Sequence, residues 1–342
     1  MHGGIHLFER LPQVDAGPRA ANDRTLSSVR TQPLIGLIRN ARSHRNEGRE
    51  GASQVPDNVL LATPRKRSEL AGVLSDFAAR RVDYIAIDGG DGTVRDVLTC
   101  GAGIFADDWP MLIVLPGGKT NALALDLDIP TDWSLPDALD AVQHGGVARR
   151  QPLVVTQRDD ERAQVRGFVL GAGLFNQVIE LGQRSHDLGA FNSAVVVITV
   201  IWSALQAMLG LSGNRWRRGA PMRITRSDGT ELPHRGGLPE DERYLLFAST
   251  LQTYPAGIDP FRAVEGPLQI AVIDNPRRRL LLALPSIFRG TSSRRTQKRG
   301  YHAFADSAVD IELGDGFILD GEAFPAGRYR LTAGPRLRFV VP

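Results

Sequence analysis

Two short stretches combine residue types and spacing that could do chemistry: Gly-Gly-Asp-Gly-Thr at residues 89–93 and Pro-Gly-Gly-Lys-Thr-Asn at residues 116–121. Gly89, Gly90 and Gly92 let the chain turn tightly and bring backbone close to a ligand. A glycine turn that feeds a helix presents N–H groups and a partial positive charge, an arrangement suited to phosphate. Thr93 is the expected N-cap of a helix carrying Val94, Val97 and Leu98. Asp91 stands out, because a carboxylate beside a phosphate repels it unless a cation or a proton-transfer role intervenes. In the second stretch Gly118-Lys119-Thr120 ends like a Walker A loop, but Ile113 stands where that pattern needs its first glycine. What remains is a second phosphate-facing turn built on Gly117, Gly118, Lys119 and Thr120, with Lys119 available as a point charge. Asn121 reads equally as a helix N-cap and as a nucleotide contact.

Elements with the right character flank both turns. Tyr84–Ile87 and Met111–Leu115 are apolar runs of the kind a parallel sheet buries on both faces. "PLIGLIRN" (residues 33–40) reads as a first strand ending in a polar loop. Leu70, Val73, Leu74 and Phe77 recur at helical spacing before the strand at Tyr84. This strand–helix alternation predicts an N-terminal doubly wound parallel α/β nucleotide-binding domain. Beyond about Gly146 the character changes. "PLVVTQ", "RGFVLGAG", "PMRITRSDG", "RYLLFAST", "LQIAVID", "SAVDIEL" and "RLRFVVP" are short strand-like runs between turns, which predict a C-terminal β-sandwich domain. The expected division is a flexible extension over residues 1–30, an α/β domain over 31–146 and a β-rich domain over 147–342.

Taken in order, these stretches resemble the diacylglycerol kinase catalytic family, which includes bacterial lipid kinases and sphingosine kinases. "GGDGT", "PGGKTN" and "LDGE" (residues 319–322) carry the likeness. "RNARSHRN" (39–46), "GAGLFNQVIE" (171–180) and "VEGPLQI" (264–270) look like further family segments. The resemblance implies transfer of the ATP γ-phosphoryl group to a lipid hydroxyl with Mg²⁺, in a cleft between two domains. It also implies that about residues 318–342 return towards the first domain. Under it Asn40, Ser43, Gly89, Gly90, Gly92, Thr93, Gly117, Gly118, Lys119, Thr120 and Asn121 hold the nucleotide. Asp320 is a candidate general base and Glu322 a metal or phosphate-site partner, while Asp91 competes for the base or metal role. The chain departs from the family pattern at Ala41, His44, Asp96, Lys119, Ala122, Glu265 and Gln269. Two other functions fit parts of the pattern. NAD kinases share the first turn, although "TNALALD" lacks their Asn-Glu motif. A catalytically silent lipid- or nucleotide-binding regulator would account for Lys119 and Ala122.

Composition narrows the surroundings. The 342 residues, 42% of them hydrophobic, are enough for two domains. A net charge of +3 is too small to argue for nucleic acid, and none is expected as a partner. The single cysteine, Cys100, rules out an intramolecular disulfide and fits a reducing compartment as a buried structural thiol. No secretory signal is read at the start. "AVVVITVIWSALQAMLGL" (194–211) is uncharged and reads as a buried or membrane-contacting helix. With the basic clusters at Arg215–Arg218, Arg277–Arg279 and Arg289–Arg299, it suits a cytoplasmic protein on the inner face of a membrane, acting on a lipid substrate there. The state of assembly is left open, a homodimer included.

Overall fold

The computed structural model describes residues 8–14, 32–43, 45–46, 55–175, 217–254, 258–276, 278–291 and 294–342. The apolar run 194–211, Arg215, Trp216, Arg277, His44 and residues 176–180 of the "GAGLFNQVIE" segment lie outside them. Among the described residues no helix is long and apolar enough to cross a membrane. The chain divides into two compact units. One comprises Pro12–Pro152, Val165–Gly167 and Gly334–Pro342, and the other Met1–Leu11, Leu153–Gln164 and Phe168–Ala333.

The first unit is mixed α/β. Its sheet holds β1 (Ile35–Arg39), β2 (Val59–Ala62), β3 (Tyr84–Gly89), β4 (Met111–Pro116), β5 (Gly146–Arg150) and β18 (Leu337–Val341), in the order β2-β1-β3-β4-β18-β5. Neighbours from β2 to β18 run parallel, and β5 runs antiparallel to β18. The sheet is therefore mixed where an all-parallel one was expected. Ile85–Ile87 and Leu112–Leu115 are buried without alternation, as strands covered on both faces must be. The same property explains β18. Leu337, Phe339 and Val340 are all buried, so "RLRFVVP" completes this sheet and not the antiparallel half where its sequence neighbourhood put it.

Helix α1 (Arg67–Ala79) turns Leu70, Leu74 and Phe77 inward, the expected face. Helix α2 (Asp91–Phe105) buries Val94, Val97, Leu98 and Phe105. Short α3 (Ala122–Asp126) follows the second turn. Helix α4 (Leu135–His144) opens with a capping box in which the Asp137 carboxylate accepts the Ser134 N–H at 2.9 Å. Cys100 is half-buried on α2, and burial pushes its thiol up.

The second unit contains two antiparallel six-stranded sheets among the described residues. One is built from β6 (Leu153–Gln157), β7 (Asp160–Gly167), β9 (Ala220–Arg226), β10 (Glu242–Arg243), β14 (Ala308–Leu313) and β17 (Gly327–Ala333). The other is built from β8 (Val169–Gly173), β11 (Leu245–Ser249), β12 (Leu268–Ile273), β13 (Tyr301–Asp306), β15 (Phe317–Leu319) and β16 (Glu322–Phe324). Three one-turn helices, α5 (Arg278–Leu281), α6 (Leu284–Phe288) and α7 (Arg294–Gln297), lie between β12 and β13. Strand β17 shows the half-buried alternation: Tyr329 and Leu331 are buried, while Arg328 and Arg330 face out. Arg330 forks onto Asp310 of neighbouring β14 at 2.8 and 2.9 Å.

Within the stretch expected to be a flexible extension, a short segment is docked on the second unit. Phe8 stacks on Phe324 with ring centroids 4.7 Å apart and donates its N–H to the Ala323 carbonyl at 2.9 Å; Leu11 is buried. The apolar contacts of Phe8 and Leu11 supply the reason.

Candidate active site

In the α/β unit the first polar loop and the two glycine turns meet at the C-terminal ends of β1, β3 and β4. The turns are fitted to each other backbone to backbone. Gly117 donates its N–H to the Gly89 carbonyl at 2.9 Å. A Cβ on Gly118 would lie 2.6 Å from the Gly90 Cα, and one on Gly90 would lie 2.9 Å from the Gly118 Cα. No side chain fits at either position without moving main chain. Glycine is thus required here by mutual approach as well as by any ligand.

The first loop is tied to both turns. Asn40 donates its N–H to the Asp88 carbonyl at 2.9 Å and its side-chain Nδ2 to Thr93 Oγ1 at 2.9 Å. Arg45 N–H reaches the Gly117 carbonyl at 3.1 Å. Ser43 is buried, and its Oγ has no hydrogen-bond partner among the described residues, although it sits 3.0 Å from where a Gly117 Cβ would stand. A buried hydroxyl left unsatisfied beside a glycine turn fits a ligand oxygen as its missing partner.

Residues that sequence reasoning passed over hold this loop. Asp88, buried at the end of β3, accepts from Asn46 Nδ2 at 2.8 Å and from Arg39 Nε at 2.9 Å. A lone carboxylate within an apolar strand was the available signal. Arg45 also clamps the carbonyls of Trp133 and Asp132 at 2.7 and 3.0 Å. Arg95, 2% exposed, folds against Asp96 with two contacts of 2.9 and 3.1 Å.

Helix α2 starts three residues earlier than expected. Its N-cap is Gly90, in extended conformation, and Thr93 lies inside the first turn with its N–H on the Gly90 carbonyl at 2.9 Å. The Thr93 hydroxyl accepts from Asn40 and caps nothing. A Cβ on Gly92 would meet the Arg95 guanidinium in ordinary contact at 3.7 Å, so the space there permits a side chain. Asp91 has a definite partner: its carboxylate accepts the N–H groups of Ala122 at 3.0 Å and Leu123 at 3.4 Å, at the start of α3. The carboxyl is nevertheless pushed up from its ordinary range. Burial outweighs the N–H groups of Ala122, Leu123 and Asn121 and the more distant charge of Arg95. Asn121 is the N-cap of α3 in left-handed conformation (φ 49°), and its side chain closes on Gly118, accepting its N–H at 2.9 Å and donating to its carbonyl at 2.8 Å. Lys119 is exposed at the tip of this turn and Thr120 is half-buried.

Asp320 and Glu322 belong to the β-rich unit. Asp320 and Gly321 form the two-residue loop between β15 and β16, with φ of 46° and 84° and Leu319 opposite Glu322. Two successive positive φ values are the signature of a type I′ hairpin. The Asp320 carboxylate is oriented by two backbone donors at the start of β8: Phe168 N–H at 3.0 Å and Val169 N–H at 2.9 Å. Its own N–H returns to the Val169 carbonyl at 3.0 Å. Glu322 is half-buried at the first position of β16. Gln269, one of the departures from the family pattern, accepts from the Tyr254 hydroxyl at 3.2 Å.

The donor set fits a polyphosphate in the α/β unit, where the buried Ser43 hydroxyl lacks a partner among the described residues beside the two glycine turns. For a metal, no cluster of three His, Cys, Asp or Glu side chains occurs among the described residues. Mg²⁺ at a nucleotide commonly takes one or two carboxylates and completes its shell with phosphate oxygens and water, so single carboxylates such as Asp91 and Glu322 fit that pattern.

Residues 38–152 match the family model of the diacylglycerol kinase catalytic domain. A comparison with curated proteins gives no match. Among solved structures, a "putative diacylglycerol kinase" from Bacillus anthracis str. Sterne superposes with a TM-score of 0.63 at 16% identity, over 92% of this chain and 98% of that one. A structure described as a diacylglycerol kinase from the same organism gives 0.60 at 16% identity, with the same coverage. At that identity the likeness establishes the fold. Residues 38–152, which hold the first loop and both glycine turns, carry the pattern of the diacylglycerol kinase catalytic domain family.

Proposed function

We propose that the protein is an ATP-dependent lipid kinase that transfers the γ-phosphoryl group to a lipid hydroxyl, diacylglycerol or a related lipid or long-chain base. The observation that carries this reading is the interlocked pair of glycine turns with the unsatisfied Ser43 hydroxyl beside them, inside the segment that matches the catalytic family. Asn40, Ser43, Gly89, Gly90, Gly92, Thr93 and Gly117–Asn121 bind the nucleotide, chiefly through backbone N–H groups at the start of α2. Asp91 or Glu322 would hold Mg²⁺, which would supply neutralising charge for the transferring group. Asp91 fixes the second turn to the first by holding the start of α3. Asp320, half-buried at a hairpin tip and oriented by two N–H donors, accepts the proton of the lipid hydroxyl. The lipid acceptor is supported by the apolar run 194–211 and the basic run 289–299 of the sequence, which suit work at the inner face of a membrane. The α/β unit is read as doubly wound.

The test is transfer of labelled phosphate from ATP to a panel of lipids in mixed micelles with Mg²⁺, with soluble NAD as a second acceptor. Asp320→Asn and Asp91→Asn are run alongside. Labelled lipid with wild-type protein, reduced at least 100-fold by Asp320→Asn with ATP binding retained, is the expected result. Labelled NAD would transfer the protein to the NAD kinase reading. ATP binding with no labelled acceptor would make it a silent nucleotide-binding regulator.

A further inference from the structure

A separate feature lies in the β-rich unit, among residues that the kinase reading does not use. Arg226, Arg235, Gln297, Tyr301, His302 and Phe304 are among the residues lining a cavity of about 250 Å³. At about 30 Å³ per water this holds roughly eight waters, room for a tetrahedral anion and the first atoms of its ester. The polar lining is mostly donors. The Arg226 guanidinium lies 5.0 Å above the Phe304 ring, and its Nε is 3.3 Å from Asp306 Oδ2, two contacts that fix its plane. Arg235 is exposed at the rim, while its backbone N–H is pinned to Asp274 Oδ2 at 2.9 Å.

His302 is held from behind. Its Nε2 bonds to the same Asp274 Oδ2 at 2.8 Å, and the other oxygen of Asp274 pairs with the buried guanidinium of Arg243. Asp274 and Arg243 are 0% and 1% exposed, so the wall behind His302 is a rigid, closed ion pair. Three guanidinium groups, Arg226, Arg235 and Arg243, stand around the cavity with three carboxylates, Asp228, Asp274 and Asp306; Asp274 is engaged by Arg243 and His302, and Asp306 by Arg226 and Ser227. Gln297 closes α7, on which Arg294 and Arg295 are exposed, and exposed Lys298 follows.

We infer that this cavity is a binding site for a phosphate group, with Arg226 and Arg235 as its cationic contacts and His302 as a positioned ring donor or acceptor. Planar guanidinium groups match tetrahedral oxyanions in geometry and charge. The phosphate can come from an anionic lipid headgroup or from a free phosphate ester; the chemistry of recognition is shared. The site stands independently of the kinase reading, because none of its residues belongs to the proposed nucleotide or transfer machinery.

The experiment follows the imidazole resonances of the seven histidines, with His302 assigned through His302→Gln. Inorganic phosphate and micellar dihexanoyl phosphatidylglycerol are the probes, and dihexanoyl phosphatidylcholine is the neutral-headgroup control. His302 should shift saturably with at least one probe. The double variant Arg226→Gln/Arg235→Gln should weaken that response at least tenfold. Arg328→Gln/Arg330→Gln, an equal loss of charge elsewhere in the same unit, should leave it unchanged. Arg235→Gln alone, at an exposed position, should weaken it several-fold and serves if the double variant misfolds. A response to phosphatidylglycerol but not to phosphatidylcholine or phosphate identifies a headgroup site. A response to inorganic phosphate alone identifies a free-ester site. No His302 shift with either probe, or equal shifts in wild type and the arginine variants, overturns the proposal.

Discussion

Asp91 in the α/β unit, half-buried, and Asp274 in the β-rich unit, fully buried, are both carboxylates that accept backbone N–H groups, and their acidities move in opposite directions. Burial raises Asp91, and the N–H groups of Ala122, Leu123 and Asn121 do not offset it. Burial also acts to raise Asp274, but bonds and charge from His302 and Arg243 prevail and hold it below the ordinary carboxylate range. The difference is one of partners. Backbone dipoles at the start of a five-residue helix give Asp91 a geometric role, whereas full positive charges make Asp274 the anion of a buried ion pair. An Asp91 carboxyl held only by backbone N–H groups suits a pivot between the two turns.

The sharpest way to break this comparison is to remove the cation. Arg243→Leu should cost about 3–5 kcal/mol, because Asp274 is left buried and short of its charge partner; urea unfolding of the variant measures it. A loss below about 1 kcal/mol would show that His302 and the Arg235 N–H suffice without the guanidinium, and the contrast would fail. Next is the backbone contact that Asp91 helps to maintain. Gly118→Ala should destabilise by about 1–3 kcal/mol through main-chain displacement and weaken ATP binding in the same variant. Asp91→Ala should cost about 1–3 kcal/mol by leaving the N–H groups of Ala122 and Leu123 without their acceptor, with a parallel fall in ATP affinity by calorimetry.

Acidity gives a smaller and more diagnostic signal. Asp274 has a folded pKa below its unfolded value near 3.9. Its contribution is fully present above that value and is lost as pH falls through the folded pKa. Asp91 has a folded pKa above its unfolded value, so stability declines as pH rises from the ordinary carboxylate range through the raised one. Unfolding free energies of Asp274→Asn and Asp91→Asn between pH 3 and 8 should therefore diverge from wild type with opposite slopes. Matching slopes would mean that the two sites share one electrostatic character. The smallest expected effect lies in the β-rich unit's hairpin. Gly321 has φ 84° and nothing within 4 Å of where its Cβ would stand, so Gly321→Ala should cost only about 1 kcal/mol of backbone strain. That is the counterpart to Gly118, where the obstacle is another segment's main chain.

These cases mark what could be read from the chain itself. Strands β1, β3 and β4 were legible because a short, uninterrupted apolar run is what a strand covered on both faces requires, and polar or glycine-rich loops mark where each one stops. The start of α2 was misread because Thr93 has the side chain of a cap, while Gly90 does the capping through its backbone conformation and leaves the hydroxyl to Asn40. Strand β17 was missed because its alternation with Arg328 and Arg330 dilutes the apolar run, although Tyr329 and Leu331 hold the period of two. The fit between Gly90 and Gly118, and the Asp274–Arg243–His302 network, join residues distant in sequence. No local pattern encodes such pairings. The turns announced that backbone must come close to something; that part of the something is the other turn required coordinates.

The place of β18 bears on how the protein is made. Leu337–Val341 occupies an interior position in the α/β sheet, between β4 and β5, yet it is synthesised only after the β-rich unit. A ribosome that has released the first 150 residues has delivered five strands of that sheet with a gap between two of them. Until the last strand emerges, the exposed edge of β4 is open to pairing with other chains. The sheet's closure is a contact of very long sequence separation, which places it among the slow steps of folding. A chaperone's period of guard over the nascent chain would then be set by the distance from β4 to β18 more than by the complexity of either unit.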